Sequence, residues 1–320
     1  MKTIAVLTSG GDSPGMNAAV RAVVRTACEN GIRVLGVVRG YNGLINGDFV
    51  EMDLRSVSDI IHRGGTKLYS ARSVEFATEE GMRKAIRVCR ENGIEGVVVI
   101  GGDGSFMGAR ALANQGIPCV GIPGTIDNDI ACSEYTIGYD TAMNTAVEAI
   151  DKLRDTTQSH DRCSVVEVMG HHAGYIALNV GIATGALAVL LPERPFDFER
   201  DILQRMRQTQ VTGKKHFIII VSEGVTDAQT LANQIQAATG VDSRATVLGH
   251  IQRGGSPTVR DRVNASLMGY HAVDLLDKGI YNRVVALSGG KIVDYDVNVA
   301  LSMHKYLDPM EIEVAQAISI

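Results

Sequence analysis

The chain is poor in several residue types, and these shortages help to exclude certain classes of structure and function. It has no tryptophan, and aromatic residues make up only 5% of its 320 residues. The five cysteines are scattered and form no Cys-x-x-Cys pair, which predicts neither disulfides nor a zinc site and is typical of a reduced cytoplasmic protein. The formal net charge of −5 predicts no general attraction to nucleic acid or to a membrane surface.

Long apolar runs are missing too. No run reaches the length of a membrane-spanning helix. The apolar run at the start ends at Thr8-Ser-Gly-Gly-Asp12, so we expect a first buried strand there and not a targeting signal. What is abundant is glycine, with 35 residues, many of them between apolar runs and helical patterns. This alternation predicts an α/β fold with mainly parallel sheets, and the length allows two domains.

The stretch Ile100-Gly-Gly-Asp-Gly-Ser-Phe106 lies between an apolar, β-branched run and a helical pattern over residues 107–114. Glycines at such a turn let a polyanion approach the backbone, and the helix start offers unpaired N–H groups. Asp103 would lie where a phosphate binds, an arrangement that suits a Mg²⁺ ion between the two. Taken alone, such a turn is more often an ordinary tight turn.

Two further strands end in glycine and carboxylate, at residues 10–12 and 124–129. Ligands of open parallel sheets bind at the carboxyl ends of the strands, so these turns together indicate phosphoryl transfer. In an extended segment Asp127 and Asp129 would share one side, one as base and the other orienting metal or substrate. A turn with Asx caps is the alternative for these two residues.

Other patterns have ordinary explanations. Arg21 and Arg25 lie four apart on one face of a predicted helix, where a solvated surface is the usual reading. The adjacent His171 and His172 should point in different directions, one packed and one exposed, and not form a metal pair. A helix is predicted over residues 199–208, whereas residues 40–47 are a glycine-punctuated stretch without a clear period.

From end to end, the chain resembles the bacterial ATP-dependent 6-phosphofructokinases. The resemblance is carried by five segments, at residues 7–17, 100–105, 123–129, 168–170 and 249–255. It implies two Rossmann-like three-layer domains with mainly parallel sheets. Residues 1–138 and 251–301 would form a larger ATP-binding domain, and residues 139–250 and 302–320 a smaller fructose 6-phosphate-binding domain. The implied reaction moves the γ-phosphoryl group of MgATP to the 1-hydroxyl group of fructose 6-phosphate, the committed step of glycolysis.

The resemblance also implies site residues. Asp127 would be the general base, with Thr125, Asp129 and Arg72 also catalytic, and Asp103 would hold Mg²⁺. ATP would contact Gly11, Arg72, Ser73, Gly102, Asp103, Gly104 and Ser105. Fructose 6-phosphate would contact Thr125, Ile126, Asp127, Arg162, Met169, Gly170, His171, Glu223, Arg244, His250, Ile251, Gln252 and Arg253. In this family Arg162 and Arg244 come from a neighbouring subunit of a homotetramer, so active sites are shared.

A second anion site is implied for ADP or phosphoenolpyruvate as effector. Its residues would be Arg21, Arg25, Arg55, Asp59, Arg154, Gly185, Gly213, Lys214, Lys215 and His216. Three positions depart from the family pattern. His171 replaces a usual arginine, Leu187 a frequent carboxylate and Thr212 a common basic residue. The first predicts less charge near the transferring phosphate, and the other two predict weakened effector coupling.

Three alternatives remain. A pyrophosphate-dependent phosphofructokinase tends to carry Asp where this chain has Gly104 and Lys where it has Gly124, so the glycines favour ATP. A nucleotide or lipid kinase can share the Gly-Gly-Asp-Gly turn but lacks the two later segments. A non-catalytic nucleotide sensor needs no base, so the presence of both Asp103 and Asp127 favours an enzyme.

Overall fold

The computed structural model describes residues 1–319, which divide into two compact units. The first unit comprises Met1–Ile126, Ile130–Thr141 and Arg253–Lys305. The second comprises Asp127–Asp129, Ala142–Gln252 and the chain from Tyr306 onwards. The assignment of one domain to ATP and the other to fructose 6-phosphate, with the bounds implied by the resemblance, stays a prediction.

Strands and helices alternate in both units, so the predicted α/β fold class is confirmed. Residues 1–319 contain eleven strands: β1 Thr3–Thr8, β2 Arg33–Val37, β3 Phe49–Met52, β4 Gly96–Gly101, β5 Cys119–Pro123, β6 Cys163–Val168, β7 Ala188–Leu190, β8 Phe217–Ser222, β9 Ser243–Val247, β10 Arg283–Ser288 and β11 Lys291–Asp296. The same residues contain eleven α-helices: α1 Met16–Glu29, α2 Gly40–Asn46, α3 Glu79–Glu91, α4 Asp103–Asn114, α5 Tyr139–Ser159, α6 Tyr175–Thr184, α7 Gln204–Val211, α8 Ala228–Thr239, α9 Val259–Asp277, α10 Val297–Ser302 and α11 Pro309–Ala317.

The first unit is built on a seven-stranded sheet in the order β11-β10-β5-β4-β1-β2-β3. Its five inner strands run parallel, and only the edge strands β3 and β11 are antiparallel to their neighbours. Alternate residues of β1 face two different cores: Ile4 packs with residues of α1 and α9, and Leu7 packs with residues of α2, α3 and α4. Helices therefore cover both faces, as the three-layer fold requires.

The second unit is built on a four-stranded, fully parallel sheet in the order β7-β8-β6-β9. Val165 and Ile219 on its central strands pack in one core with Met206 of α7 and with Leu231 and Ile235 of α8. A buried parallel sheet needs near-continuous apolar strands, and the sequence Phe-Ile-Ile-Ile-Val of β8 supplies one.

The structure corrects several local expectations. The edge strands β3 and β11 were not predicted, because each is short or interrupted by charged residues and is partly exposed, and neither forms a long apolar run. The glycine-punctuated stretch contains α2, and the residues that flank this helix, Arg39 and Gly47, both have left-handed backbone conformation. The helix predicted over residues 199–208 begins as a five-residue π-helical turn, Glu199–Leu203, before α7. α4 begins at Asp103, four residues before the predicted start.

Candidate active site

Three turns of the first unit lie at one edge of its sheet. β5, β4 and β1 are neighbouring parallel strands, so the residues that follow them share the carboxyl edge. Main-chain hydrogen bonds join the turns: Ser9 N donates to Ile100 O at 2.9 Å, and Gly124 N donates to Gly101 O at 3.0 Å. The structure thus brings the glycine-containing residues 9–12, 101–105 and 124–126 together.

The turn between β4 and α4 leaves the start of the helix open. α4 begins directly after Gly102, whose backbone is extended and which as a glycine has no side chain to cap the helix. A Cβ atom added at Gly102 or Gly104 would have no neighbour within 4 Å. The first N–H groups of a helix have no intrahelical acceptor, so this turn can bind an anion. The exposed Asp103 carboxylate lies in the same turn.

Buried hydrogen bonds fix the far side of this turn. Ser105 Oγ donates to Ser9 O at 3.2 Å, which links the β4–α4 turn to the β1 turn. Tyr41 Oη donates to Ser105 O at 2.6 Å, and the Tyr41 ring stacks on Phe76 with centroids 4.0 Å apart. Sequence reasoning missed Tyr41 because it lies in the glycine-punctuated stretch. A Cβ at Gly108 would come within 2.7 Å of its ring, so glycine makes room for it.

Arg253 lies against the first glycine turn of the same unit. Its Nη1 donates to Asp12 O at 3.2 Å, and a Cβ added at Gly11 would come within 2.4 Å of that nitrogen. Any larger residue at Gly11 must displace the guanidinium. Arg253, predicted to contact fructose 6-phosphate, therefore lies beside Gly11, which is predicted to contact ATP.

The segment that carries Arg72 is tied to this turn. Ser70 Oγ donates to Gly10 O at 2.5 Å. The Arg72 side chain is exposed, and its carbonyl oxygen accepts a hydrogen bond of 3.5 Å from Asn42 Nδ2. Ser73 Oγ accepts a hydrogen bond from Phe76 N at 3.2 Å. The exposed guanidinium is the only charged side chain that this anchored segment presents from residues 70–73.

The end of the β5 turn differs from the expectation. Thr125 O accepts a hydrogen bond from Thr136 Oγ1 at 2.6 Å, and Ile126 is buried. Asn128 has φ +53°, so residues 127–129 are not extended and the argument that an extended backbone places both carboxylates on one side is wrong. The side chain of Asp127 is 8% exposed and Asp129 is half-buried.

In the second unit, buried and half-buried oxygens hold the turn after β6. Met169 N donates to Oε1 of the fully buried Gln252 at 2.9 Å, and His171 N donates to Glu223 Oε1 at 2.6 Å. A Cβ at Gly170 would come within 2.4 Å of Ala173 O, so glycine is needed for this tight turn. Five predicted substrate-binding residues therefore meet at one turn: Met169, Gly170, His171, Glu223 and Gln252.

The two histidines of this turn are both exposed, so the expectation of one packed and one exposed is wrong. His171 has φ +57°, and this turn conformation brings both side chains to the surface. Their rings lie 4.1 Å apart, and His171 Nδ1 is 4.0 Å from Asp129 Oδ2, which places a carboxylate of residues 127–129 beside this turn of the same unit.

A single carboxylate orients two of the predicted phosphate-binding arginines. Arg162 Nε donates to Asp242 Oδ2 at 2.6 Å, and Arg244 Nε lies 3.1 Å from Asp242 Oδ1. The Arg162 guanidinium holds the pKa of Asp242 below its usual range, with Arg244 adding to the effect. Sequence reasoning missed Asp242, for which the only signal was its place two residues before Arg244. His250 and Ile251 are exposed further along the same chain segment.

The residues predicted for effector binding fall into two groups. In the first unit Arg21 and Arg25 share one face of α1, where burial and then the Arg25 charge lower the pKa of Arg21; Arg55 and Asp59 are exposed. In the second unit Arg154 donates to Thr184 O, next to Gly185, which ends α6 with φ +58°.

The second-unit group is basic around one imidazole. Burial, Lys214 and Arg154, in that order, lower the pKa of His216 from 6.5. Lys215 is exposed, and Gly213 has φ +93°. These positively charged side chains form a local patch in a protein of negative net charge.

The two departures near this patch differ in position. Leu187 is fully buried in the core of the second unit, so its side chain faces no ligand. Thr212 is exposed at the end of α7, and its Oγ1 donates to Thr209 O at 2.8 Å. Neither side chain offers a charge to an anion.

Residues 1–319 include no cluster of three or more His, Cys, Asp or Glu side chains placed to hold a metal ion. The donor set at the start of α4, one exposed carboxylate beside an anion-binding helix end, fits a Mg²⁺ ion whose other ligands are phosphate oxygens and water. Among the described helices, none is both long and apolar enough to cross a membrane.

Comparisons with known proteins agree with this architecture. The chain is 54% identical over 319 residues to an ATP-dependent 6-phosphofructokinase of Clostridium botulinum (strain Hall), with all of both chains covered. The structure of a phosphofructokinase from Saccharomyces cerevisiae matches with a TM-score of 0.89 and 32% identity, covering 99% of this chain and 46% of that one. The chain thus spans less than half the length of the yeast chain. A pyrophosphate-dependent phosphofructokinase from Marinobacter aquaeolei, with a TM-score of 0.85, 24% identity and coverage of 96% and 86%, shares the fold.

The match to the phosphofructokinase family itself extends over residues 3–276. It includes all five segments on which the resemblance was based, together with the open α4 turn and the turn after β6. The resemblance found in the sequence is therefore confirmed, and the chain belongs to the phosphofructokinase family.

Proposed function

We propose that the chain transfers the γ-phosphoryl group of ATP to the 1-hydroxyl group of fructose 6-phosphate, giving fructose 1,6-bisphosphate and ADP. The Clostridium relatives, at 54% and 55% identity, carry the name ATP-dependent 6-phosphofructokinase. The observation that carries the choice of donor is the open space at Gly104, which leaves the start of α4 accessible to a nucleotide. An acidic residue there, which the resemblance associates with pyrophosphate as donor, would fill that space.

On the donor side, the first N–H groups of α4 and the exposed Arg72 bind phosphate oxygens in this proposal. Asp103 holds Mg²⁺, which neutralises negative charge on the phosphate oxygens when bound. Gly11 gives ATP close access to the backbone, and Ser73, Gly102 and Ser105 complete the donor contacts. Arg253 lies against the turn of residues 9–12, where it donates to Asp12 O.

On the acceptor side, Asp127 is the general base. The O1 oxygen of the sugar attacks the γ-phosphorus, the bond from that phosphorus to the β–γ bridging oxygen breaks, and ADP leaves. The hydroxyl proton passes to the Asp127 carboxylate. Thr125 and Asp129 flank the reacting group, since the former precedes and the latter follows the base in the same turn.

The sugar phosphate is bound by arginines in this proposal. A guanidinium donates two parallel hydrogen bonds to a phosphate, which suits Arg162 and Arg244. In the proposed homotetramer these arginines serve the site of a neighbouring cytoplasmic subunit. Mixing inactive Arg162→Ala and Asp127→Asn subunits should then restore activity. Verified subunit exchange without recovery would contradict shared sites.

His171 stands where the family pattern implied by the resemblance has an arginine. A guanidinium is always charged, whereas an imidazole is charged only when protonated. The Glu223 contact fixes the His171 main chain and leaves its exposed side chain available to substrate. Arg72 and Mg²⁺ therefore supply most of the positive charge at the transferring group.

A coupled assay of product formation tests the proposal. Purified protein should form fructose 1,6-bisphosphate from fructose 6-phosphate with MgATP as donor, and at least about tenfold more slowly with pyrophosphate at equal concentration. A preference for pyrophosphate would favour the alternative donor. No product with either donor would overturn both.

A further inference from the structure

A cleft in the second unit lies apart from every residue assigned above. Its walls come from β7, the segment that follows it, the start of α7 and one face of α11. About 70 Å³ of the cleft is open to the centres of water molecules. At roughly 10–15 Å³ per water, that space holds several water molecules or one small solute.

The charges that line the cleft favour an anion. Arg194, Arg200 and Arg205 line it, and Asp201 is the one acidic residue among its described lining residues. Arg200 Nε and Nη2 each donate to Asp201 at 2.8 Å, so this pair neutralises itself. Arg194 and Arg205 remain as two positive charges that face the cleft.

Arg205 has unused hydrogen-bonding capacity. Its Nη2 donates to Gln316 O at 2.7 Å and to Ser319 Oγ, which holds the guanidinium against the C-terminal segment. Its Nε is buried and has no hydrogen-bond partner within residues 1–319. Burial lowers the pKa of Arg205, and the Asp201 charge acts in the opposite direction. The guanidinium, which lines the cleft, carries further N–H groups that can donate to an anion there.

The backbone and the apolar walls add to this. The π-helical turn Glu199–Leu203 carries Arg200 and Asp201 at the rim, and such turns are frequent at functional sites. Leu191, Phe196 and Ile312 supply apolar surface beside the arginines. A ligand that satisfies both parts has a doubly charged end and a small apolar body.

We propose that this cleft binds a small organic phosphate monoester, whose phosphate lies between Arg194 and Arg205 and whose apolar body packs on Phe196 and Ile312. A dianionic phosphate can take paired hydrogen bonds from two guanidinium groups, which matches the two arginines that face the cleft. The site is separate from the proposed donor, acceptor and effector residues and does not depend on the proposed reaction.

The absence of tryptophan provides a specific probe. Phe196→Trp places a single indole in the cleft wall, and its fluorescence is titrated with phenyl phosphate, inorganic phosphate and phenol. We expect saturable change with phenyl phosphate, weaker binding of inorganic phosphate, and none of phenol. Adding Arg194→Met or Arg205→Met should weaken phenyl phosphate binding at least about tenfold, as for one lost charge-assisted hydrogen bond.

Arg207→Met is the matched control, because Arg207 lies on α7, pairs with Glu199 at 2.5 Å and does not line the cleft. It should leave the titration unchanged. Arg194→Met keeps the test decisive even if Arg205→Met fails to fold, since Arg194 is exposed. Calorimetry of chains with Phe196 intact should show the same difference between Arg194→Met and Arg207→Met. The proposal would be overturned if phenyl phosphate gave no saturable fluorescence change. It would also be overturned if Arg194→Met and Arg207→Met weakened phenyl phosphate binding equally.

Discussion

Arg162 Nε donates a hydrogen bond of 2.6 Å to Asp242 Oδ2. The contact orients a guanidinium that the sequence analysis predicted only as a ligand of the sugar phosphate. The other carboxylate oxygen of Asp242 lies 3.1 Å from Arg244 Nε. A carboxylate between two arginines fixes the orientation of both guanidinium groups and leaves their remaining N–H groups available to a further anion. Asp242 is therefore a positioning residue in the proposed sugar-phosphate site.

Asp242→Asn should raise KM for fructose 6-phosphate about three- to tenfold and change kcat and KM for ATP much less, because both arginines lose orientation while the reacting groups are untouched. The matched control is Glu148→Gln, which breaks an exposed ion pair with Lys152 in the same unit. Steady-state kinetics in both substrates measure the effect. Equal KM values for fructose 6-phosphate in the two variants would show that Asp242 does not position the arginines for the substrate.

The open space at Gly104 gives a prediction about the donor. Gly104→Asp should fold normally, because an added Cβ meets no atom within 4 Å, yet it should raise KM for ATP at least about tenfold by repelling phosphate. Gly104→Ala separates size from charge and should have a smaller effect. Thermal unfolding checks the fold, and kinetics check the donor. Normal ATP kinetics in Gly104→Asp would contradict nucleotide binding at this turn.

His216 gives a prediction about pH. Because burial and two neighbouring cations lower its pKa from 6.5, the unfolded state binds more protons between the folded and unfolded values. The stability that neutral His216 contributes is therefore full above pH 6.5 and lost as pH falls through the folded pKa. The thermal midpoint of the natural chain should fall more than that of His216→Gln between about pH 7.5 and about pH 5.5. Parallel curves would show that the shift is absent.

The effector patch should respond weakly. An effector shifts an equilibrium only by its differential affinity for the two states, and neither the buried Leu187 nor Thr212 offers it a charge. We predict weak activation by MgADP and only a small shift of the fructose 6-phosphate curve by phosphoenolpyruvate. Thr212→Arg, at an exposed position, should strengthen both responses. Saturation curves at fixed pH test this. A strong phosphoenolpyruvate shift that ADP fully reverses, in the natural chain, would contradict it.

The parts of the fold that sequence could predict are those set by local pattern. The apolar run of β4 and the glycines after it placed a strand and a turn correctly, because burial and backbone geometry both act within a few residues. The helix α2 could not be predicted, since its stability comes from packing. Tyr41, Leu44 and Ile45 are buried in a shared core, and a Cβ at Gly43 would come within 1.8 Å of Val38 O.

Details of the site that depend on contacts between distant parts of the chain could not be predicted from the sequence either. The left-handed conformation of Asn128 and the exposure of both adjacent histidines follow from turn geometry that no periodicity encodes. Likewise, Asp242 and Arg162 are 80 residues apart in the chain, and they meet only because β6 and β9 pair in parallel. Residue types indicated the chemistry of the site, whereas its supporting contacts required the structure.

The central claim is tested most directly by following the phosphoryl group itself. Protein in excess over ATP labelled in its γ-phosphoryl group is mixed with Mg²⁺ and fructose 6-phosphate, and label in the 1-position of the sugar product is measured over time. The natural chain should transfer the label, and Asp127→Asn should do so about 10²–10⁴-fold more slowly, the range of general-base contributions. Absence of labelled sugar bisphosphate with the natural chain, or transfer at the natural rate by Asp127→Asn, would contradict the account.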